Sequence, residues 1–389
     1  MVNLLTTVVV VAAMACAGAS AATLDLRQLE RDRVIPQADK FLSEQPVTVT
    51  ASRNPRSAGG PHDFSSEGDY WWPDPKNADG PYIQRDGETN PQNFVEHRHA
   101  MVRMSIQVAT VTAAYRLTQD QKYADKAIEH LRAWFVTPDT RMNANLQYAQ
   151  AIKGITPGRG IGIIDTLHLV EPARSAQILE QAGVLKGDDL AAIKKWFADY
   201  LEWMTTSKNG KEEEAAKNNH GTCWHVQAAA FAWFTGDEAK RALCRTWFKE
   251  VGLPNQMAPD GSFPQELRRT KPYGYSLFNA DAMTTLAWIA STPQDDLFAF
   301  TTPDGKNLRK AVEFIERYIA DKAKWPYKHD VMFWDQWPVR SPVLMFGGLA
   351  YQQPQWLDVW KRLEANPTND EVLRNLPIRQ PVLWVEKSS

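Results

Sequence analysis

A chain of 389 residues with 43% hydrophobic content can bury a large core and allows one big domain or two of ordinary size, so disordered and fibrous classes are excluded. Its formal net charge of −2 argues against a nucleic-acid binder, which usually displays a basic face. No Cys or His cluster has zinc-finger or zincin spacing, and there is no EF-hand loop and no Gly-rich phosphate cradle, so the sequence calls for no metal and no cofactor.

Residues 4–21 form an apolar run ending in Ala19-Ser20-Ala21, which reads as a signal peptide cleaved near Ala21 or Ala22. The expectation is a secreted or periplasmic protein with no membrane attachment after cleavage. A transmembrane anchor is the alternative, and the short run broken by small residues disfavours it. Cys16 falls inside this segment. Cys223 and Cys244 remain, and two buried thiols are expected rather than a disulfide.

Residues 24–42 read as one helix, and 63–91, rich in Pro, Gly, Asp and aromatics, as an ordered loop. From residue 93 onward the pattern is helical, with runs at 94–117, 123–135, 165–182, 190–204, 221–234, 237–251, 277–289, 308–320 and 354–363. In 190–204, Leu190, Ile193, Trp196, Phe197, Tyr200, Leu201 and Met204 recur at spacings of three and four, one helix face. Paired helices with short turns and few alternating stretches predict an all-α chain: an incomplete α/α toroid, a barrel of helical hairpins, forming a single domain over 22–389. The lack of a fixed-period repeat disfavours solenoids. The longer connections at 63–91, 139–162 and 261–274 are expected to gather on one rim as a cleft.

The segments that carry chemistry lie in those connections. Asp69-Tyr70-Trp71-Trp72-Pro73-Asp74-Pro75 offers Tyr70, Trp71 and Trp72 as platforms for sugar rings, although with 15 Trp in the chain several must be structural. Asn145, Tyr148 and Gln150, followed by the Gly158-Arg159-Gly160 turn, suit a groove that hydrogen-bonds sugar hydroxyls; a plain surface loop is the alternative. Asn218-Asn219-His220 sits just ahead of an apolar helix, where free N–H groups favour negative charge, with Asn218 placed to cap and Asn219 to face a ligand. Arg268, Arg269 and Lys271 outweigh Glu266 in the next segment, so an anionic substrate can be held there without a basic surface overall.

Together these supply an amide, an imidazole, a guanidinium and a phenol. A proton on the carbon beside a carboxylate is scarcely acidic, because its removal puts a second negative charge on the same small group. Donors that hold the carboxylate take up that charge. Tyr275, or else Tyr273, can then act as base and as the acid that returns a proton to the departing oxygen; a free phenol titrates near ~10, so it needs cationic neighbours. Packing of both tyrosines about Gly274 is the simpler alternative. No carboxylate pair is placed as in a glycosidase, which points to elimination rather than hydrolysis.

Asn218-Asn219-His220, then Asp260-Gly261 through Phe263-Pro264-Gln265-Glu266-Leu267, an Arg and a Tyr, resembles the alginate lyase superfamily of polysaccharide lyases, which have an α/α toroid fold. The Asp69 to Pro75 loop, Asn145-Leu146-Gln147-Tyr148-Ala149-Gln150 and Arg269 to Ser276 look more like a branch associated with glucuronan and alginate cleavage. The resemblance implies that Asn219 and His220 neutralise a uronate carboxylate, that Arg269 assists, and that Tyr275 is acid and base without a metal. Matching from Glu266-Leu267 selects Arg269, whereas counting back from Tyr275 selects Arg268. The expected substrate is an anionic polysaccharide, a 1,4-linked polyuronate. Two rivals remain: a hydrolase pairing Asp69 or Asp74 with Glu266 or Asp335, and a noncatalytic carbohydrate-binding protein. Oligomeric state is open.

Overall fold

The structure is a computed structural model that describes residues 24–385; the apolar amino-terminal run and Cys16 lie outside the described residues. Helix α1 (Leu26–Phe41) is followed by a long connection carrying the short strands β1 (Ser65–Glu67), β2 (Trp71–Trp72) and β3 (Ile83–Gln84). Then come α2 (Glu96–Thr118), α3 (Gln121–Phe135), β4 (Tyr148–Ala151), a 3-10 stretch over Gly160–Leu169, α4 (Val170–Gln181), α5 (Gly187–Thr206), α6 (Lys208–Glu214), α7 (Asn219–Thr235) and α8 (Glu238–Trp247). The last part comprises the short α9 (Leu253–Gln256) and α10 (Pro264–Leu267), the long α11 (Pro272–Ala290), and α12 (Leu308–Ala320), α13 (Pro342–Ala350), α14 (Pro354–Arg362) and α15 (Asp370–Arg374).

The protein is all-α in architecture, an incomplete toroid of helices. α2, α4, α7, α11 and α13 pack in succession as an inner row, with α1 and α3 backing α2, α5 and α8 backing α7, and α12 and α14 backing α13. The arc does not close as a barrel: the turn Pro381–Leu383 packs against α1, α2 and α4 instead. Among the described residues no helix is long and apolar enough to cross a membrane. Cys223 and Cys244 are free, buried thiols, as expected.

Position in the arc explains which elements the sequence showed. α12 is amphipathic, and its bounds are those the periodicity predicts. α13 is buried over most of its length and apolar throughout, so it has no stripe to detect and was not anticipated. The charged α6, begun by the Ser207 side chain, was also missed. The run at 165–182 starts as 3-10 turns, and α11 begins five residues before the expected 277, taking Tyr273 and Tyr275 out of a turn and into a helix.

Two local features place the cleft. β1 pairs in parallel with β4, Ser65 opposite Tyr148, which ties the 63–91 connection to the 139–162 connection. β2 pairs antiparallel with β3, Trp71 opposite Gln84 and Trp72 opposite Ile83, folding the aromatic segment into a small hairpin. α7 and α11 begin differently from their neighbours. Asp25, Asp120, Asp237 and Asn307 cap α1, α3, α8 and α12 from the adjoining position. At α7 the Asn218 side chain makes no cap bond, contrary to expectation, and the backbone N–H of Asn219 donates to Glu266 at 2.8 Å. At α11 the N–H groups of Tyr273 and Gly274 donate to the two oxygens of Asp330, each at 2.9 Å.

Candidate active site

A cleft of about 390 Å³ opens where these two helix starts meet the connections. The 63–91 connection contributes Asp69, Tyr70, Trp71, Gln84 and Asp86, the 139–162 connection Gln150, Arg159 and Ile161, and the 261–274 connection Arg269. Asn219, His220, Arg269 and Tyr275, expected to work together, all line it. So do Glu213 and the carboxy-terminal Arg374 and Asn375, which the sequence did not single out.

Asn219 is fixed by a buried carboxylate. Its Nδ2 donates to Glu266 Oε2 at 2.7 Å, next to the backbone bond to Oε1. Burial raises the Glu266 pKa, and the two Asn219 donors pull it back. His220 Nδ1 lies 2.6 Å from Oε1 of the buried Glu213. That acceptor favours the tautomer with its hydrogen on Nδ1 and leaves Nε2 for the cleft.

Arg269 sends Nε and Nη2 to Asp86, at 3.2 and 2.7 Å, leaving Nη1 without a partner among the described residues. Its guanidinium carbon stands 4.6 Å from the centre of the Tyr275 ring. The Tyr275 hydroxyl lies 2.7 Å from that of Tyr70. Burial pushes the Tyr275 phenol well above its ordinary value; Tyr70 acts in the same direction, while Arg269 pulls against both. The cationic neighbourhood therefore does not lower the phenol in the open cleft, contrary to expectation. Lys271 reaches Tyr70 at 3.4 Å and Glu371 at 2.7 Å.

Other candidates fall elsewhere. Residues two apart on a helix are about 200° apart around its axis, so Tyr273 and Tyr275 cannot share a face. Tyr273 is fully buried, donates its hydroxyl to Tyr318 O at 3.2 Å and packs on Trp325 and Trp334, outside the cleft. Arg268, exposed after α10, does not line the cleft, which settles the choice of lining arginine for Arg269. Along β2 successive side chains alternate. Trp71 lines the cleft, whereas Trp72 donates to Glu88 O at 2.9 Å under Arg85. Asn145 accepts from the Gln147 N–H at 3.1 Å within its own turn, and the Tyr148 ring packs on Gly59; neither lines the cleft. Gln150 does, with its backbone at φ 47°.

The acidic residues of the cleft are already committed. Burial would raise Asp69, but Arg374 and Arg98 more than offset it and hold its carboxyl well below the usual range. Asp86 pairs with Arg269, Glu213 with His220 and Glu212 with Lys208. Asp74, Glu266 and Asp335, the other members of the expected hydrolase pairs, do not line it.

A helical arc whose cleft gathers an amide, an imidazole, a guanidinium and a phenol, a set of donors suited to an anionic ligand, defines the class of scaffold, and comparison narrows the class. The alginate lyase family profile matches residues 48–325. An alginate lyase from Bacteroides ovatus is 31% identical, with a TM-score of 0.79, over 93% of this chain and 96% of that one. The chain belongs to the alginate lyase family. Alginate lyase A1-III from Sphingomonas species A1 shares the fold at 14% identity and a TM-score of 0.52, over 91% of this chain and 95% of that one. A single-substitution variant of that enzyme complexed with tetrasaccharide gives a TM-score of 0.54 at 14% identity, over 92% of this chain and 95% of that one. No curated protein matches the chain.

Proposed function

We propose that the protein is a polysaccharide lyase that cleaves a 1,4-linked polyuronate, alginate or glucuronan, by β-elimination. The observation that carries this reading is the convergence of Asn219, His220, Arg269 and Tyr275 on one cleft in which every lining carboxylate already has a basic partner. The Bacteroides ovatus relative, described as an alginate lyase, makes alginate the first substrate to try.

In this mechanism the uronate carboxylate sits against Asn219 Nδ2, His220 Nε2 and Arg269 Nη1, whose donors stabilise the charge that builds on it when the neighbouring C–H bond breaks. Tyr275, as phenolate, takes the C5 proton. The electron pair forms the C4–C5 double bond, the C4–O bond breaks, and the phenol returns its proton to the departing oxygen, so nothing is consumed. Tyr70 positions the phenol through the 2.7 Å hydroxyl contact. Export to the periplasm or medium, suggested by residues 4–21, puts the enzyme where polysaccharide is met.

The test is incubation with polymannuronate, polyguluronate and glucuronan, reading ultraviolet absorbance of the unsaturated product and its mass. New reducing ends without that absorbance would show hydrolysis, and binding without new ends would show a noncatalytic protein.

A further inference from the structure

Of the guanidiniums that line the cleft, Arg269 is matched by Asp86, and Arg374 by Asp69 and Glu371. Arg159 is different: none of the described residues places a carboxylate within ion-pair distance of it. Its Nε donates to Gln150 O at 3.0 Å and its Nη2 to Gln150 Oε1 at 3.1 Å, both neutral acceptors. Burial works against its charge, and Asp69, Asp165 and Glu213, acting from a distance, only partly compensate.

The position is built with some care. Gln150 presents its carbonyl and its side-chain oxygen to the same guanidinium from a left-handed backbone, φ 47°, a conformation that strains a non-glycine residue and persists where the surroundings enforce it. A Cβ on Gly68 would stand 2.8 Å from Arg159 Nη2, so glycine leaves that nitrogen its room. Gly158 lies so close to the Gln147 carbonyl that no side chain fits, which fixes the turn that aims Arg159. The guanidinium carbon is 5.8 Å from the centre of the Trp71 ring, and Trp71 follows Tyr70, the partner of Tyr275.

A partly buried cation held by neutral groups and facing an open cleft lacks its counterion. A planar guanidinium with free N–H groups matches a carboxylate better than any other common anion in a sugar chain. We propose that Arg159 recognises a second carboxylate, on the sugar next to the one that reacts, with Gln150 orienting the guanidinium and Trp71 offering that sugar a stacking face. The inference rests on the polyuronate reading and deepens it: the cleft reads two consecutive acidic sugars rather than one.

Calorimetry in the inactive Tyr275→Phe background tests it, with a mannuronate tetrasaccharide and its carboxyl-reduced, neutral counterpart as probes. Arg159→Met is expected to weaken the acidic tetrasaccharide about ten- to a hundredfold and to flatten the salt dependence of its binding, while leaving any affinity for the neutral sugar as it was. Arg159→Lys, which keeps the charge but not the fork, should fall between. Where the neutral sugar binds too weakly to measure, the salt dependence decides. Equal affinity and equal salt dependence with and without Arg159 would overturn the second-carboxylate site alone. If neither acidic polymer nor oligomer binds any form, the polyuronate reading falls and this inference with it.

Discussion

Lys271 stands four residues before Tyr275 in the sequence, yet its ammonium goes to Glu371 and to the Tyr70 hydroxyl. The contacts define a chain of donors: Lys271 N–H to Tyr70 oxygen, and Tyr70 O–H to Tyr275 oxygen once that phenol has lost its proton. Such chains polarise one another in a low-dielectric site. The other charged or titratable groups facing the phenol are Arg269 from the connection before α11, Glu371 and Arg374 from α15, and His220 at the start of α7. Of these, Glu371 opposes ionisation and is held off by Lys271. Replacing Lys271 by Met therefore favours the neutral phenol. As a base must be deprotonated to act, the rising limb of kcat against pH is expected to move up by about one unit. Lower kcat with an unmoved limb would mean that Lys271 only braces Tyr70. For Tyr275→Phe the expected outcome is loss of the unsaturated product with the thermal midpoint preserved, and full activity in that variant would remove the phenol from the chemistry.

At the scale of elements, α7 and α11 are begun by carboxylates from distant parts of the chain, and this is how two helix starts come to share one cleft. Glu266→Ala leaves the Asn219 N–H and Nδ2 buried without acceptors, which costs about 1–3 kcal/mol each. A lower unfolding midpoint together with a raised KM is the expected result, with Glu266→Gln milder. An inactive Glu266→Ala enzyme of normal stability and KM would instead make Glu266 a chemical participant, as the hydrolase alternative requires. Much of this was legible in the sequence, and the exceptions have causes. α12 showed because one face is wet, and α13 did not because nearly every side is buried. The connections at 63–91, 139–162 and 261–274 do meet in one cleft, but alternation along β2 and the turn angle of α11 decide which aromatic enters, and neither can be assigned until the element and its register are known. Glu371 and Arg374 left no trace because they sit on a five-residue helix far in sequence from the partners they hold, Lys271 for Glu371 and Asp69, near the other end of the chain, for Arg374.

For the whole molecule, the consequence of packing so many helices around one core is that imidazoles are sealed in with them. His130 is fully buried with neither ring nitrogen hydrogen-bonded, and burial pulls its pKa down to about 4. Burial lowers His225, stacked on Trp247 at 3.8 Å, to about 3, and holds His168 well below its ordinary value as well. In the unfolded chain each titrates near ~6.5. Between the two values the unfolded state binds the proton and the folded state does not, so stability falls as pH drops from about 6.5 towards 4. For His130 alone the shift corresponds to at most about 3 kcal/mol. Asp69 adds a second loss at lower pH: with its folded pKa depressed, its contribution is complete above the unfolded value near ~3.9 and disappears below it. The imidazoles therefore pull the thermal midpoint down through mildly acidic pH, against an opposite contribution from Glu266, Glu171 and Asp281, whose carboxyls burial raises, and Asp69 steepens the decline below about 4. His130→Leu removes one of the protons taken up on unfolding, so its midpoint should depend less on pH between 6.5 and 4 than that of the parent protein. A parent midpoint that stays flat over that interval, or a variant with an unchanged slope, would show that these imidazoles are not the groups that set the acid limit of the fold.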